Sequence, residues 1–333
     1  MPNLSVGDMA QSMILSRHSL TLKHSLQTLS TEVTTGIAVD KTRAVQGDYA
    51  PLAGIEASLT QLQAYHAVTS ETKILTNVMQ TALNAMSDQA RTLGAALLAA
   101  ATSNSPTRID TLGVDASQRL QSVMASLNTR IGDRNVFSGT ATDRAAVTDT
   151  ETMMTALDGV VAGALSSADV ETAVNAWFAD PAGFAATVYQ GSDPLAPVPV
   201  SADESARVDV TALDPGITAT LKGLALAALL QRGVLSGSDV ARADLAKRAG
   251  ESLASSATDR AQLTARLGTV QAGIANAATR NDAEKSALET ARLDLISVDP
   301  YETAAKLEQT QTQLQTLYTI TARLSRLNLV DFL

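Results

Sequence analysis

Between residues 263 and 298 one side of the chain is marked out at alternating intervals of four and three: Leu263, Leu267, Val270, Ile274, Ala277, Asn281, Glu284, Leu288, Ala291, Leu295 and Val298. Only a helix brings residues at that spacing onto one face. Such a run spans about 50 Å at ~1.5 Å per residue, so the chain must contain at least one long rod that buries a stripe against other helices. The pattern predicts a helix that resumes near Asp239 and continues until Asp299-Pro300 interrupts it.

The rest of the chain extends this plan. Pro51 opens a second long helix carrying Ile55, Leu59, Leu62, Val68, Leu75, Met79, Leu83, Met86, Ala90, Leu93 and Leu97. Continued to Ala101, it would span about 75 Å. Asn104-Ser105-Pro106 breaks it. Thr107 is expected to cap the next helix, which carries Ile109, Leu112, Ala116, Leu120, Val123, Leu127 and Ile131, so that two long antiparallel helices share a short loop. At Gly132-Asp133-Arg134-Asn135-Val136-Phe137-Ser138-Gly139 the periodicity stops. Beyond it the composition suggests short helices over 151–165 and 168–177. Val198 and Val200, and then Val208 and Val210, suggest a small sheet or hairpin. Asp214-Pro215 opens a helix that ends near Gly233.

The two ends differ from this interior in their flanks. Leu15, Leu22 and Leu29 recur every seven residues, with Leu26 and Val33 four beyond the last two. Leu307, Leu314, Leu317 and Leu324 follow a seven–three spacing that Ile320 and Leu327 widen. From 10 to 35 the only charges are Arg17, Lys23 and Glu32, and from 309 to 329 only Arg323 and Arg326. A solvated coiled coil normally carries Glu and Lys beside its seam. Depleted charge is a property of surfaces that other protein covers. Leu15, Leu22, Leu26, Leu29, Val33, Leu307, Leu314, Leu317, Ile320, Leu324, Leu327, Leu329, Val330, Phe332 and Leu333 are therefore the candidate assembly interface, and both ends are expected to be loosely ordered until copies pack together. Residues 39–51, with Gly47 and Pro51, read as an irregular connector that leaves room for an extended or hairpin-like piece.

Composition narrows the function. Aromatic residues are only 3%, so the 45% apolar content comes from small and aliphatic side chains suited to helix packing. A net charge of -9 with no basic patch argues against nucleic acid and anionic membrane as partners. The chain has no cysteine, hence no thiolate zinc site and no thiol nucleophile. No stretch reaches the roughly 18 apolar residues of a membrane span, and the first residues do not read as a cleaved signal. His18, His24 and His66 lack the Glu-x-x-His context of a helical metal site, and no nucleotide-binding, serine-hydrolase or zinc-protease motif is present. Trp177 and Phe178 read as core. The expectation is therefore a protein without catalytic residues, cofactor or metal.

Three stretches resemble a known family. Leu29-Ser30-Thr31 through Thr35-Gly36-Ile37, Asn135-Val136-Phe137-Ser138-Gly139, and the terminus Leu329-Val330-Asp331-Phe332-Leu333 are similar to motifs of the flagellin family, in particular of its hook–filament junction branch. The likeness covers roughly the first 140 and the last 100 residues. The sequence departs from the pattern where Val136 replaces an aromatic residue and where Ala38-Val39-Asp40-Lys41-Thr42-Arg43 follows the first helix.

The resemblance implies a mainly α fold: an elongated bundle of long antiparallel helices, paired N- and C-terminal coiled-coil helices, and a small α+β insertion. Residues 1–45 with 299–333 would form the assembly domain, 46–139 with 214–298 a helical rod, and 140–213 an outer variable domain. It also implies extracellular placement in the flagellum after export by the flagellar type III apparatus. The implied partners are copies of itself in a ring, a hook-side junction protein, flagellin and an export chaperone. The filament subunit itself and a soluble signalling coiled coil are the alternatives.

Overall fold

In a computed structural model the chain is mainly α. The structure describes residues 6–103 and 105–330, with side chains over 10–103 and 105–323. In chain order the elements are α1 (Val6–Thr35), α2 (Lys41–Ala44), α3 (Ala50–Ser103), α4 (Pro106–Leu127), β1 (Arg130–Ile131), β2 (Arg134–Asn135), α5 (Thr150–Val161), α6 (Ser167–Ala179), α7 (Phe184–Thr187), β3 (Val198–Pro199), β4 (Ser205–Ala206), α8 (Pro215–Ala228), α9 (Asp239–Ser255), α10 (Ala257–Ile296) and α11 (Pro300–Val330). β1 pairs with β2 and β3 with β4, each pair an antiparallel two-stranded hairpin. The chain divides into two compact units, Met1–Gln63 with Asp282–Leu333, and Ala64–Asn281.

The first unit is organised by a staple between its two chain passages. Gly36 ends α1 at φ +70, a conformation that costs a residue without Cβ little. Ile37 then forms an antiparallel bridge with Ser297. Ala38 N–H donates to Ile296 O at 2.9 Å and Val298 N–H to Gly36 O at 3.0 Å. The extended or hairpin-like piece expected within 39–51 does not form there: the bridge lies just before it, at Ile37, and the connector instead carries the short helix α2, whose N-cap Asp40 accepts from Arg43 N–H at 3.1 Å. Asp299 caps α11 in the same way, accepting from Tyr301 N–H at 2.8 Å and Glu302 N–H at 3.1 Å, with Pro300 in the first turn where its missing donor is not needed. Because the staple joins the end of α1 to the start of α11, the two helices run antiparallel.

The second unit has one continuous apolar cluster. Met79, Met86, Leu93 and Leu97 of α3 meet Ile109, Leu120 and Leu127 of α4, Leu221 and Leu224 of α8, Leu253 of α9 and Leu263 and Leu267 of α10. The α3–α4 pair is antiparallel, with Gln89 Nε2 donating to Ser122 Oγ at 3.2 Å across it. Apolar on nearly every side, α8 is buried almost throughout, as the centre of a bundle should be. The segment 140–213 contributes Met153, Val174, Phe184, Val208 and Val210 to the same cluster.

Three local expectations change. The helix predicted from 239 onward is two helices, because α9 stops at the C-cap Ser256. Buried Arg260 turns back there and donates to Leu253 O at 3.3 Å, to Ser256 Oγ and to Thr220 Oγ1, satisfying a carbonyl that the break frees. Ser105, not Thr107, is the N-cap of α4, set by Pro106 at the first helical position. Val208 and Val210 are buried without joining a strand. The β3–β4 hairpin instead lies on α10, where Val200 and Ala206 pack with Ile274 and Ala277. Asn281, a polar break in the four–three row, is buried with its Nδ2 donating to Val200 O at 2.8 Å.

Candidate functional site

The sequence directs attention to α1 and α11, and the structure packs them side by side. Their neutral flanks turn inward on their own backbones: Thr21, Thr31, Thr34 and Thr35 of α1 donate to carbonyls four residues earlier, as do Thr312, Thr316, Thr319 and Thr321 of α11. These faces present methyl groups more than free hydroxyls, without the charged fringe that keeps a helix solvated.

Burial within the pair is incomplete. Leu15, Leu22, Leu26 and Leu29 are half-buried, as are Leu307, Leu314 and Leu317, while Val33 and Ile320 are exposed. Among the described residues no side chain of α1 is buried, and α11 buries only Thr303 and Thr310. Those two threonines donate to Asp299 O at 2.7 Å and Lys306 O at 2.8 Å, so their hydroxyls are satisfied without a partner helix. The side chains of Leu324, Leu327, Leu329, Val330, Phe332 and Leu333, also part of the sequence-derived set, lie outside the described residues. Of that set, the leucines of α1 and those of α11 through Leu317 lie on two helices that pack side by side.

The seven-residue periodicity passes over other residues. Met13, Ile14 and Leu20 of α1 are 68%, 58% and 68% exposed, off the seam of seven. Apolar residues outside a stripe whose flanks lack charge were the available signal. Tyr318 was also missed: Lys23 Nζ lies 5.8 Å from its ring centroid. The Lys23 ammonium at its hydroxyl, with Ser19 second, holds the Tyr318 phenol below its ordinary range. This contact joins the middle of α1 to α11. On one side of the pair, α1 and α11 enclose an open groove of about 1170 Å³, floored by Ser25, Thr28, Leu29, Thr303 and Thr310 and closed at one end by the connector.

The other sequence-derived residues sit elsewhere. Asn135-Val136-Phe137-Ser138-Gly139 is wholly buried in the second unit. Asn135 Nδ2 donates to Thr142 O at 3.1 Å, and Phe137 and Ser138 carbonyls accept from Ala212 N–H and Ser192 N–H at 3.0 Å each. Gly139 has φ +62, and a Cβ there would lie 2.3 Å from Asp193 O, so the motif is a corner that only glycine can close. Phe178 stacks on Phe184 and Trp177 meets both rings edge-on, with ring centroids 5.0 to 6.1 Å apart. His18, His24 and His66 are exposed on α1 and α3, and no group of three or more His, Cys, Asp or Glu suited to a metal occurs among the described residues. No described helix is long and apolar enough to cross a membrane.

Residues 252–333, which include all of α11, match the family described as the bacterial flagellin C-terminal helical region. No curated protein sequence matches the chain. A chain from Vibrio parahaemolyticus described as a flagellar hook-associated protein shares the fold at a TM-score of 0.53 and 14% identity, over 73% of this chain and 95% of that one. FlgL of Bacillus cereus superposes at a TM-score of 0.48 and 15% identity, over 75% of this chain and all of the other.

Proposed function

We propose that the chain is a structural subunit of the bacterial flagellum, a non-catalytic adaptor of the hook-associated protein 3 type that joins a hook-side junction protein to flagellin. The observation that supports this reading best is the half-covered state of the leucine rows on α1 and α11. A pair of helices that leaves its seam half wet, with neutral flanks, gains most of its apolar burial when further copies pack around it. The flagellin-type match over 252–333 covers one member of this pair. In this reading residues 1–45 with 299–333 assemble, 46–139 with 214–298 supply the rod, and 140–213 supply a variable surface. The subunit is exported by the flagellar type III apparatus with a dedicated chaperone and forms a ring of copies outside the cell.

Removal of residues 300–333, with filament attachment and secretion scored separately, tests the proposal. Filaments should be shed while the truncated protein is still made, and normal attachment would overturn the reading. The flagellin C-terminal match equally suits a filament subunit. A strain lacking this gene that still grows filaments on its hooks would favour that alternative.

A further inference from the structure

The groove beside α1 and α11 is lined unlike the rest of the pair. Its walls carry four carboxylates, Glu32, Asp40, Asp299 and Glu302, against two cations, Arg43 and Lys306. Three of these carboxylates are held in place by the fold: Asp40 and Asp299 cap helices, and Glu32 accepts from Val39 N–H at 3.0 Å. Their charge stays at the groove whatever occupies it. Between the carboxylates the floor is neutral, half-buried or buried. The face that α1 gives to it spans residues 20–32, about 18 Å of helix.

Resting on the assembly reading above, we propose that this groove seats residues 317–329 of a second copy of the chain. Residues 317–329 span about 18 Å of helix, the length of the groove, and carry the four–three row Ile320, Leu324 and Leu327 along roughly 10 Å of it; Ile320 is 45% exposed in the single chain. Arg323 and Arg326, one turn apart in the sequence of that helix, are the only charges from 309 to 329 and match in number and sign the excess of two carboxylates over cations in the groove, where Lys306 already pairs with Glu302 at 2.7 Å. The competing terminal segment, 1–16, carries Asp8 as its only charged side chain and would meet like charge. A molecule cannot fill its own groove with this segment. Its α11 forms one wall through Gln313 and then continues alongside α1, past the Lys23–Tyr318 contact and away from the connector.

The absence of cysteine makes the test direct. A Thr28→Cys variant is mixed with an Ile320→Cys variant of the full chain under conditions where light scattering shows association, then oxidised. A disulfide between the two chains is expected in at least tenfold higher yield than from Met13→Cys mixed with Ile320→Cys, whose first position is an exposed one outside the groove. Adding Arg323→Glu with Arg326→Glu should lower the yield several-fold, as should raising salt to about 1 M, where the screening length falls to roughly 3 Å. Equal yields from the two mixtures in an associated sample would overturn this docking and leave the assembly reading standing. A chain that does not associate at all would overturn both.

Discussion

Leu22 in α1 and Leu120 in α4 both belong to regular helical stripes, yet Leu120 is fully buried and Leu22 is half-covered. The second unit closes its stripes on one another: α3, α4, α8, α9 and α10 surround a common cluster, and α8 has neighbours on nearly every side. The terminal pair has one neighbour per stripe. A helix needs company over roughly a third of its circumference or more to bury an apolar face, and a single partner covers only part of that. Periodicity therefore identifies which face wants burial but not which molecule supplies it.

Substitutions can break or sharpen this contrast. Phe137→Ala, at a ring with no exposure, should destabilise the second unit by about 3–5 kcal/mol in urea unfolding. Asn281→Ala removes the buried donor to Val200 O and should cost about 1–3 kcal/mol, with amide exchange rising first over the β3–β4 hairpin. Gly139→Ala must accept a positive φ and displace a carbonyl, and should cost more than ~1 kcal/mol by the same unfolding measurement.

Acid acts on the second unit through Asp244. The Ser167 hydroxyl, and after it the Arg248 guanidinium, hold this carboxyl below its ordinary 3.8. A folded-state value depressed below the unfolded one contributes stability above pH 3.8, and that contribution fades as pH falls through the folded value. Asp244→Asn should flatten the acid limb of a stability–pH curve. The smallest effect belongs to the terminal pair: Leu22→Ala should change the unfolding of the isolated chain by less than ~1 kcal/mol while clearly weakening self-association in sedimentation. A large loss in the isolated chain would place α1 in the same class as α8. Rapid amide exchange over α1 and α11 in the isolated chain, slowed on association, would sharpen the distinction.

Much of the architecture was legible because it depends on local rules. Most of the long helices, the break before Pro106, the interruption at Asp299-Pro300 and the stop at Gly36 follow from periodicity, proline and glycine, which act within a few residues. The β3–β4 hairpin was placed only in part. Its strands are two residues long, and Val208 and Val210 are buried by contacts with distant helices and not by pairing. The motif around Phe137 was legible as a motif, but its role as a buried corner depends on Thr142, Ser192, Asp193 and Ala212, which no spacing rule links to it.

By itself the sequence determined that this protein is built of long helices and that its ends carry leucine rows without a charged border. Both are properties of residues three to seven apart, which backbone geometry places on one face whatever the rest of the chain does. Only the tertiary structure decided that the interior rows close on each other while the terminal rows stay half open. It also decided that a groove with an excess of negative charge forms where two capping aspartates and Glu32 converge. Burial and local field are sums over neighbours brought from distant parts of the chain, and those sums exist only once the chain has folded.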